Sequence, residues 1–154
     1  LASGFALPDL AGLTLVQALQ VAARGHERRT GTGVALELST RVPDLPATMI
    51  SALYRFVQEG LNNSFRHAGG QGQAVYVKVD AKALVVEVRD KGQGVPQSSQ
   101  SHEALGLLGM RSRVEALGGR FSVESSERGM VVTAAFDLRD LEACDGKFDQ
   151  HRGG

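Results

Sequence analysis

Apolar side chains set the first rhythm of the chain. Leu10, Leu13, Val16 and Leu19, with Gln17 and Gln20 among them, recur at helical spacing and predict an amphipathic helix over residues 9–29. Thr30-Gly31-Thr32-Gly33 stops it, and Val34-Ala35-Leu36-Glu37-Leu38 reads as a strand. Pro43 and Pro46 break the chain ahead of a long helix over residues 47–68, which Gly69-Gly70 ends. Two strands follow, 74–80 and 83–90, joined by a tight turn. Residues 93–103 are poor in apolar side chains and rich in Ser and Gln, so they read as a mobile loop. A helix over residues 107–117 stops at Gly118-Gly119, and strands 120–124 and 130–138 pair around residues 125–129. The polar tail, 139–154, is expected to fray.

Adjacent strand pairs in that order imply mixed or antiparallel pairing. With the helices gathered on one face, the fold class is α+β: a two-layer sandwich on a mixed sheet. No internal repeat or second core is visible, so residues 1–138 are expected to form one domain with 139–154 as its tail. At about 100° per residue, Ile50, Leu53, Tyr54, Val57, Leu61 and Phe65 fall on one stripe of the long helix. Glu59, Asn63 and His67 fall opposite or beside that stripe, one turn apart, facing away from the sheet. Alone, such a row is an ordinary solvated helix face.

The bulk numbers exclude more than they assign. A chain of 154 residues suits one domain with a sizeable core. Lys plus Arg and Asp plus Glu number 17 each, so there is no electrostatic reason for broad binding to nucleic acid or an anionic membrane. The single cysteine, Cys144, cannot form an intrachain disulfide and has no metal-ligand partner at short spacing, which fits a reducing compartment. The most apolar stretch, residues 13–23, is interrupted by Gln17 and Gln20 and is too short to span a bilayer. No signal-peptide pattern is present. The start at Leu1 rather than methionine reads as a piece of something longer.

Chemistry concentrates in three places: Glu59 with Asn63, then Asp90-Lys91-Gly92-Gln93-Gly94, then Gly106-Leu107-Leu108-Gly109-Met110-Arg111. A carboxylate at a strand end followed by spaced glycines can recognise a flat polar group while the backbone passes close beside it. Glycines at the foot of a helix expose amide donors where a phosphate would sit. An acidic residue with an amide side chain one turn on can hold a divalent cation through oxygen. Together they read as a nucleotide site that is neither a Walker loop nor a dinucleotide-binding fingerprint.

In this order and spacing, Gln58-Glu59-Gly60-Leu61-Asn62-Asn63-Ser64-Phe65-Arg66-His67-Ala68 resembles the N box of the ATPase superfamily shared by gyrase, the heat-shock chaperone and histidine kinases, the GHKL superfamily. Asp90-x-Gly92-x-Gly94 resembles its first glycine box, and residues 106–119 its second. That last stretch is most similar to histidine kinases whose partner regulators carry a helix-turn-helix output domain. The resemblance spans residues 10–138 and implies a Bergerat-type ATP-binding fold.

The roles that follow are those the resemblance implies. Asn63 would coordinate the Mg²⁺ that bridges the phosphates of ATP, with Asn62 as the neighbouring alternative. Glu59 would polarise the nucleophile, here the acceptor imidazole. Asp90 would accept a hydrogen bond from the adenine amine, with Gly92 and Gly94 letting the chain pass the base. Gly106 and Gly109 would offer amides and a helix N-terminus to the triphosphate. His67 and Arg66 would help neutralise phosphate charge. One position departs from the pattern: relatives commonly carry Gly-Thr where this chain has Gly129-Met130, and Thr133, on the opposite strand face, does not replace it.

The expected function is therefore the catalytic domain of a two-component sensor histidine kinase, with ATP and Mg²⁺ as its ligands. Its partners would be the kinase's own dimerisation and phosphoacceptor domain and, indirectly, a response regulator. No nucleic acid or membrane contact by this domain is expected, and its place is the cytoplasm. No acidic-flanked His-Asp acceptor pair occurs, and His26, near a helix end, reads as a surface residue. An anti-sigma-type serine kinase and a nucleotide-binding module without catalysis remain as alternatives, the second favoured by Met130 alone.

Overall fold

A computed structural model describes residues 8–92 and 100–141, with side chains omitted for residues 100–105. The elements are α1 (Leu15–Thr30), β1 (Ala35–Leu38), α2 (Ala47–Ala68), β2 (Ala74–Val79), β3 (Ala83–Arg89), α3 (Gln100–Ala116), β4 (Arg120–Ser126) and β5 (Gly129–Asp137). The strands form one sheet in the order β1-β2-β3-β5-β4. β1 runs parallel to β2, and every other pairing is antiparallel. Parallel neighbours need a crossover, and α2 is that crossover.

Strand alternation gives the sheet one dry face. The register sets Val75 opposite Val88, Val88 opposite Val132, and Val132 opposite Val123. Leu84 faces Phe136 in the same way. The row through Tyr76, Glu87, Thr133 and Ser122 lies on the other face. There Arg89 pairs with Glu87 at 2.6 Å and lies over the Tyr76 ring. The helices cover the dry face. Gly60 brings α2 so close that a Cβ there would stand 3.1 Å from Val88, and one at Gly119 would stand 2.5 Å from the Phe136 ring. The expected two-layer architecture and mixed sheet are those observed.

α1 begins later than residue 9. Thr14 caps it, its hydroxyl accepting from Gln17 N while Gln17 returns a bond to Thr14 N. This reciprocal pair fixes the start of the helix. From that origin the buried row is Leu15, Ala18, Leu19, Ala22, Ala23 and His26.

His26 is therefore not a surface residue: it is fully buried at 0% exposure. Its Nε2 meets Gln73 Oε1 at 2.8 Å, and Gln73 Nε2 donates to Thr32 Oγ1 at 2.8 Å and to Gly33 O. This network ties the end of α1 to the entries of β1 and β2.

α2 has the bounds expected from the sequence, but Phe65 does not join its buried stripe. Ser64 takes the inward position, and Phe65 is 39% exposed with its ring against the edge of His26. α3 starts at Gln100 rather than 107, because Gln, Glu, Ala and Leu in this stretch all favour helix. Part of the expected loop is thus helical, and residues 93–99, Gly94 among them, lie outside the described residues. After β5, residues 138–141 make a helical turn, with Leu138 and Leu141 packed on the core, so the first residues of the tail do not fray. Among the described residues no helix is long and apolar enough to cross a membrane.

Replacing His26 with alanine leaves the Gln73 acceptor buried without its partner. We expect a loss of about 1–3 kcal/mol from that group alone, read by urea denaturation. A surface histidine would change stability by no more than about 0.5 kcal/mol.

Candidate active site

Burying its apolar stripe on the sheet turns the polar side of α2 toward α3. Glu59, Asn62, Asn63 and Arg66 of α2 face Gly106, Gly109 and Arg113 of α3 across a cleft of about 230 Å³. That is below the roughly 300–1,000 Å³ of a pocket that encloses a whole ligand, so it suits one polar end of a larger molecule. Arg113 Nη1 donates to Glu59 Oε1 at 2.5 Å. Arg66 Nη2 donates to Asn63 Oδ1 at 2.7 Å, and Asn63 Nδ2 points at the Met110 sulfur at 3.9 Å. Glu59 and Asn63 are thus each held by a guanidinium. With two arginines against one carboxylate, the cleft favours anions in a protein whose total charge is balanced.

Gly106 and Gly109 do not open a helix, as the sequence had implied. They lie inside α3, where backbone N–H groups bond to carbonyls four residues back and are not presented to a ligand. What they contribute is bare backbone. A Cβ at Gly106 would stand 3.9 Å from Asn63 Nδ2, and one at Gly109 would stand 3.5 Å from Arg113 Nη2. Side chains there would narrow the cleft from the α3 side.

Asp90 follows β3 and is held by backbone amides. Its N–H donates to Met130 O at 3.0 Å, and its Oδ1 accepts from Gly92 N at 3.0 Å and Met130 N at 3.3 Å. The side chain of Met130 lacks a hydroxyl, yet its backbone amide still orients the carboxylate. Gly92 is buried against the end of α2, where a Cβ would stand 2.2 Å from that of Ala68. At Gly129, φ is +129° and a Cβ would stand 2.0 Å from the Asp90 carbonyl oxygen, so β5 approaches Asp90 only as glycine.

Not every expected residue converges. Asp90 and Gly92 sit beside the end of α2 and do not line the cleft, and His67 is exposed and outside it. Asn62 lines it beside Asn63, so both amides border the cleft. Arg113 was not legible as a site residue, because spacing along one helix cannot show that its guanidinium crosses to another. A larger cleft of about 630 Å³, between the start of α1 and the end of β1, holds none of these residues.

The profile of the family described as histidine kinase-, DNA gyrase B- and HSP90-like ATPase matches residues 48–140, and the chain belongs to this family. The signal transduction histidine-protein kinase/phosphatase UhpB of Salmonella typhimurium is 34% identical over 133 residues, covering 85% of this chain and 26% of that protein. The sensor histidine kinase MctS of Rhizobium johnstonii is 33% identical over 125 residues, covering 79% of this chain and 27% of that protein. The chain thus spans about a quarter of the length of these relatives. Its fold matches the histidine kinase domain of the Erythrobacter litoralis blue-light activated histidine kinase. The TM-score is 0.69 at 21% identity, over 84% of this chain and 67% of that one.

Gly129→Ala puts a methyl group into the Asp90 carbonyl and forces a side chain into positive φ. We expect destabilisation of about 1–3 kcal/mol, seen as a lower melting temperature. Shifted amide resonances at Asp90, Gly92 and Met130 should accompany it. Unchanged resonances would mean that the carboxylate does not depend on this approach.

Proposed function

We propose that the chain is the ATP-binding catalytic domain of a sensor histidine kinase. The observation that carries this is the single cleft in which Glu59, Asn63, Arg66 and Arg113 meet, with Asp90 held by backbone amides at the nearby strand end. The relatives named as histidine kinases, one of them a sensor histidine kinase, support the choice within the family.

In this reading the adenine amine donates to Asp90, a group that only accepts, which disfavours the guanine carbonyl. The phosphates enter between α2 and α3, where Arg66 and Arg113 supply charge-assisted donors. Asn63 offers a hard oxygen suited to magnesium. Among the described residues no three His, Cys, Asp or Glu side chains could hold a metal by themselves, so nucleotide oxygens and water would complete the shell. When bound, magnesium would neutralise phosphate charge. The acceptor is a histidine on a dimerisation and phosphoacceptor domain of the same kinase. Its imidazole nitrogen forms a P–N bond as the bond from the γ-phosphorus to the bridging oxygen breaks, and ADP leaves with that electron pair. Glu59 accepts the hydrogen bond from the other imidazole N–H and stabilises the positive charge that develops. The phosphoryl group then goes to a response regulator, and the site of action is the cytoplasm.

Labelled ATP and a purified acceptor domain test this directly. The label should appear on the acceptor as an acid-labile phosphohistidine; an acid-stable phosphoserine on a partner would identify a serine kinase instead. Glu59→Gln keeps size and fold while removing the carboxylate's charge, so nucleotide binding should persist while transfer falls about 10²-fold. Full transfer activity would remove Glu59 from the chemistry. Asp90→Asn should weaken ATP binding about ten- to hundredfold by calorimetry, and unchanged affinity would take adenine recognition away from it.

A further inference from the structure

The link between Glu59 and Arg113 joins two helices across the cleft, and its groups are far from buried: the side chains are 34% and 41% exposed. At that exposure a carboxylate–guanidinium pair is worth at most about fivefold in an equilibrium constant, too little to hold α2 and α3 together. It does place one oxygen of the cleft's one carboxylate, Oε1, against a guanidinium, which offsets the charge that carboxylate could offer another donor. Arg66 differs, since it bonds Asn63 one turn away on its own helix. Arg113 Nη2 lies 3.5 Å from where a Cβ on Gly109 would stand, so position 109 sets no side chain of its own beside the guanidinium. A terminal phosphate carries more charge than a carboxylate and accepts from an arginine fork through two oxygens, so it is the stronger partner.

We propose that Arg113 exchanges partners. Resting on the reading of the cleft as a triphosphate site, it holds Glu59 while no γ-phosphate is present and moves to that phosphate when ATP enters. Only in the ATP complex is the Glu59 carboxylate released from its guanidinium, so that it meets the N–H of the incoming acceptor with its charge uncompensated. ADP lacks the terminal group and leaves Arg113 on Glu59. Arg113 thereby couples the state of the nucleotide to the availability of the residue that assists transfer.

Calorimetry on the 154-residue chain, with magnesium and either ADP or the β,γ-imido analogue of ATP, separates the possibilities. Arg113→Gln should weaken the ATP analogue about tenfold or more and ADP less than about twofold. Arg113→Lys, which keeps the charge without the fork, should recover part of the loss. Glu59→Gln frees Arg113 in advance, so it should tighten the analogue about two- to fivefold without changing ADP. That gain should vanish when Arg113→Gln is added. Equal effects on both nucleotides, or a gain that survives loss of Arg113, would overturn the exchange. Should Arg113→Gln fail to fold, Glu59→Gln decides alone: no gain, or an equal gain for ADP, rejects the proposal. A parent protein that binds neither nucleotide would reject the underlying reading of the cleft, and the exchange with it.

Discussion

Helix α2 buries Leu53, Tyr54, Val57 and Leu61, and Gly60 lets its backbone close onto Val88 of the sheet. Everything functional about this helix follows from that contact. Positions 59 and 63 lie two residues beyond Val57 and Leu61, about 200° around the axis. They cannot share the sheet-facing side and must look toward α3. The cleft is therefore a by-product of core packing: the same burial that stabilises the domain aims Glu59 and Asn63. A bulkier residue at position 60 would lift α2 from Val88 and reposition both side chains together.

The carboxylate beyond β3 is governed by a different constraint. Asp90 is oriented by backbone N–H groups of Gly92 and Met130, so its geometry depends on where the chain runs and not on which side chain follows Gly129. This explains how methionine can stand where the family resemblance implies threonine. The positioning of Asp90 survives the substitution, whereas any contact made through the threonine hydroxyl does not. The glycines on either side carry the burden. Position 92 must pass under Ala68, and position 129 must approach the Asp90 carbonyl, each closer than a Cβ allows.

Much of this was legible before the structure. The bounds of α2, the succession of elements along the chain, the mixed sheet and the three motif segments follow from spacing and glycine placement. Two failures have the same root, a helix origin set in the wrong place. Counting α1 from Leu10 hid the row 15, 18, 19, 22, 23, 26 that buries His26, although Thr14 and Gln17 form a recognisable cap. Starting α3 at its glycines hid the helical residues before them and cast Gly106 and Gly109 as amide donors. Phe65 was misplaced because the buried stripe of α2 passes to Ser64 near its end, beyond reach of periodicity alone. The crossing of Arg113 to Glu59 was invisible for another reason: it joins two different elements through residues 54 positions apart in the chain.

The balance of charge shows how little a total reveals about a site. Acidic and basic residues cancel over the chain, yet packing of α2 against α3 brings two arginines and one glutamate into a single cleft. Each arginine already faces an oxygen group, so the cleft is partly neutralised from within, and an entering anion must compete with the carboxylate and the amide. Both resident bonds are solvent-accessible and hence weak, which makes that competition easy for a polyphosphate and hard for a singly charged ion. In the proposed reading, a preference for a multiply charged ligand would arise from the resident partners of the arginines as much as from the arginines themselves.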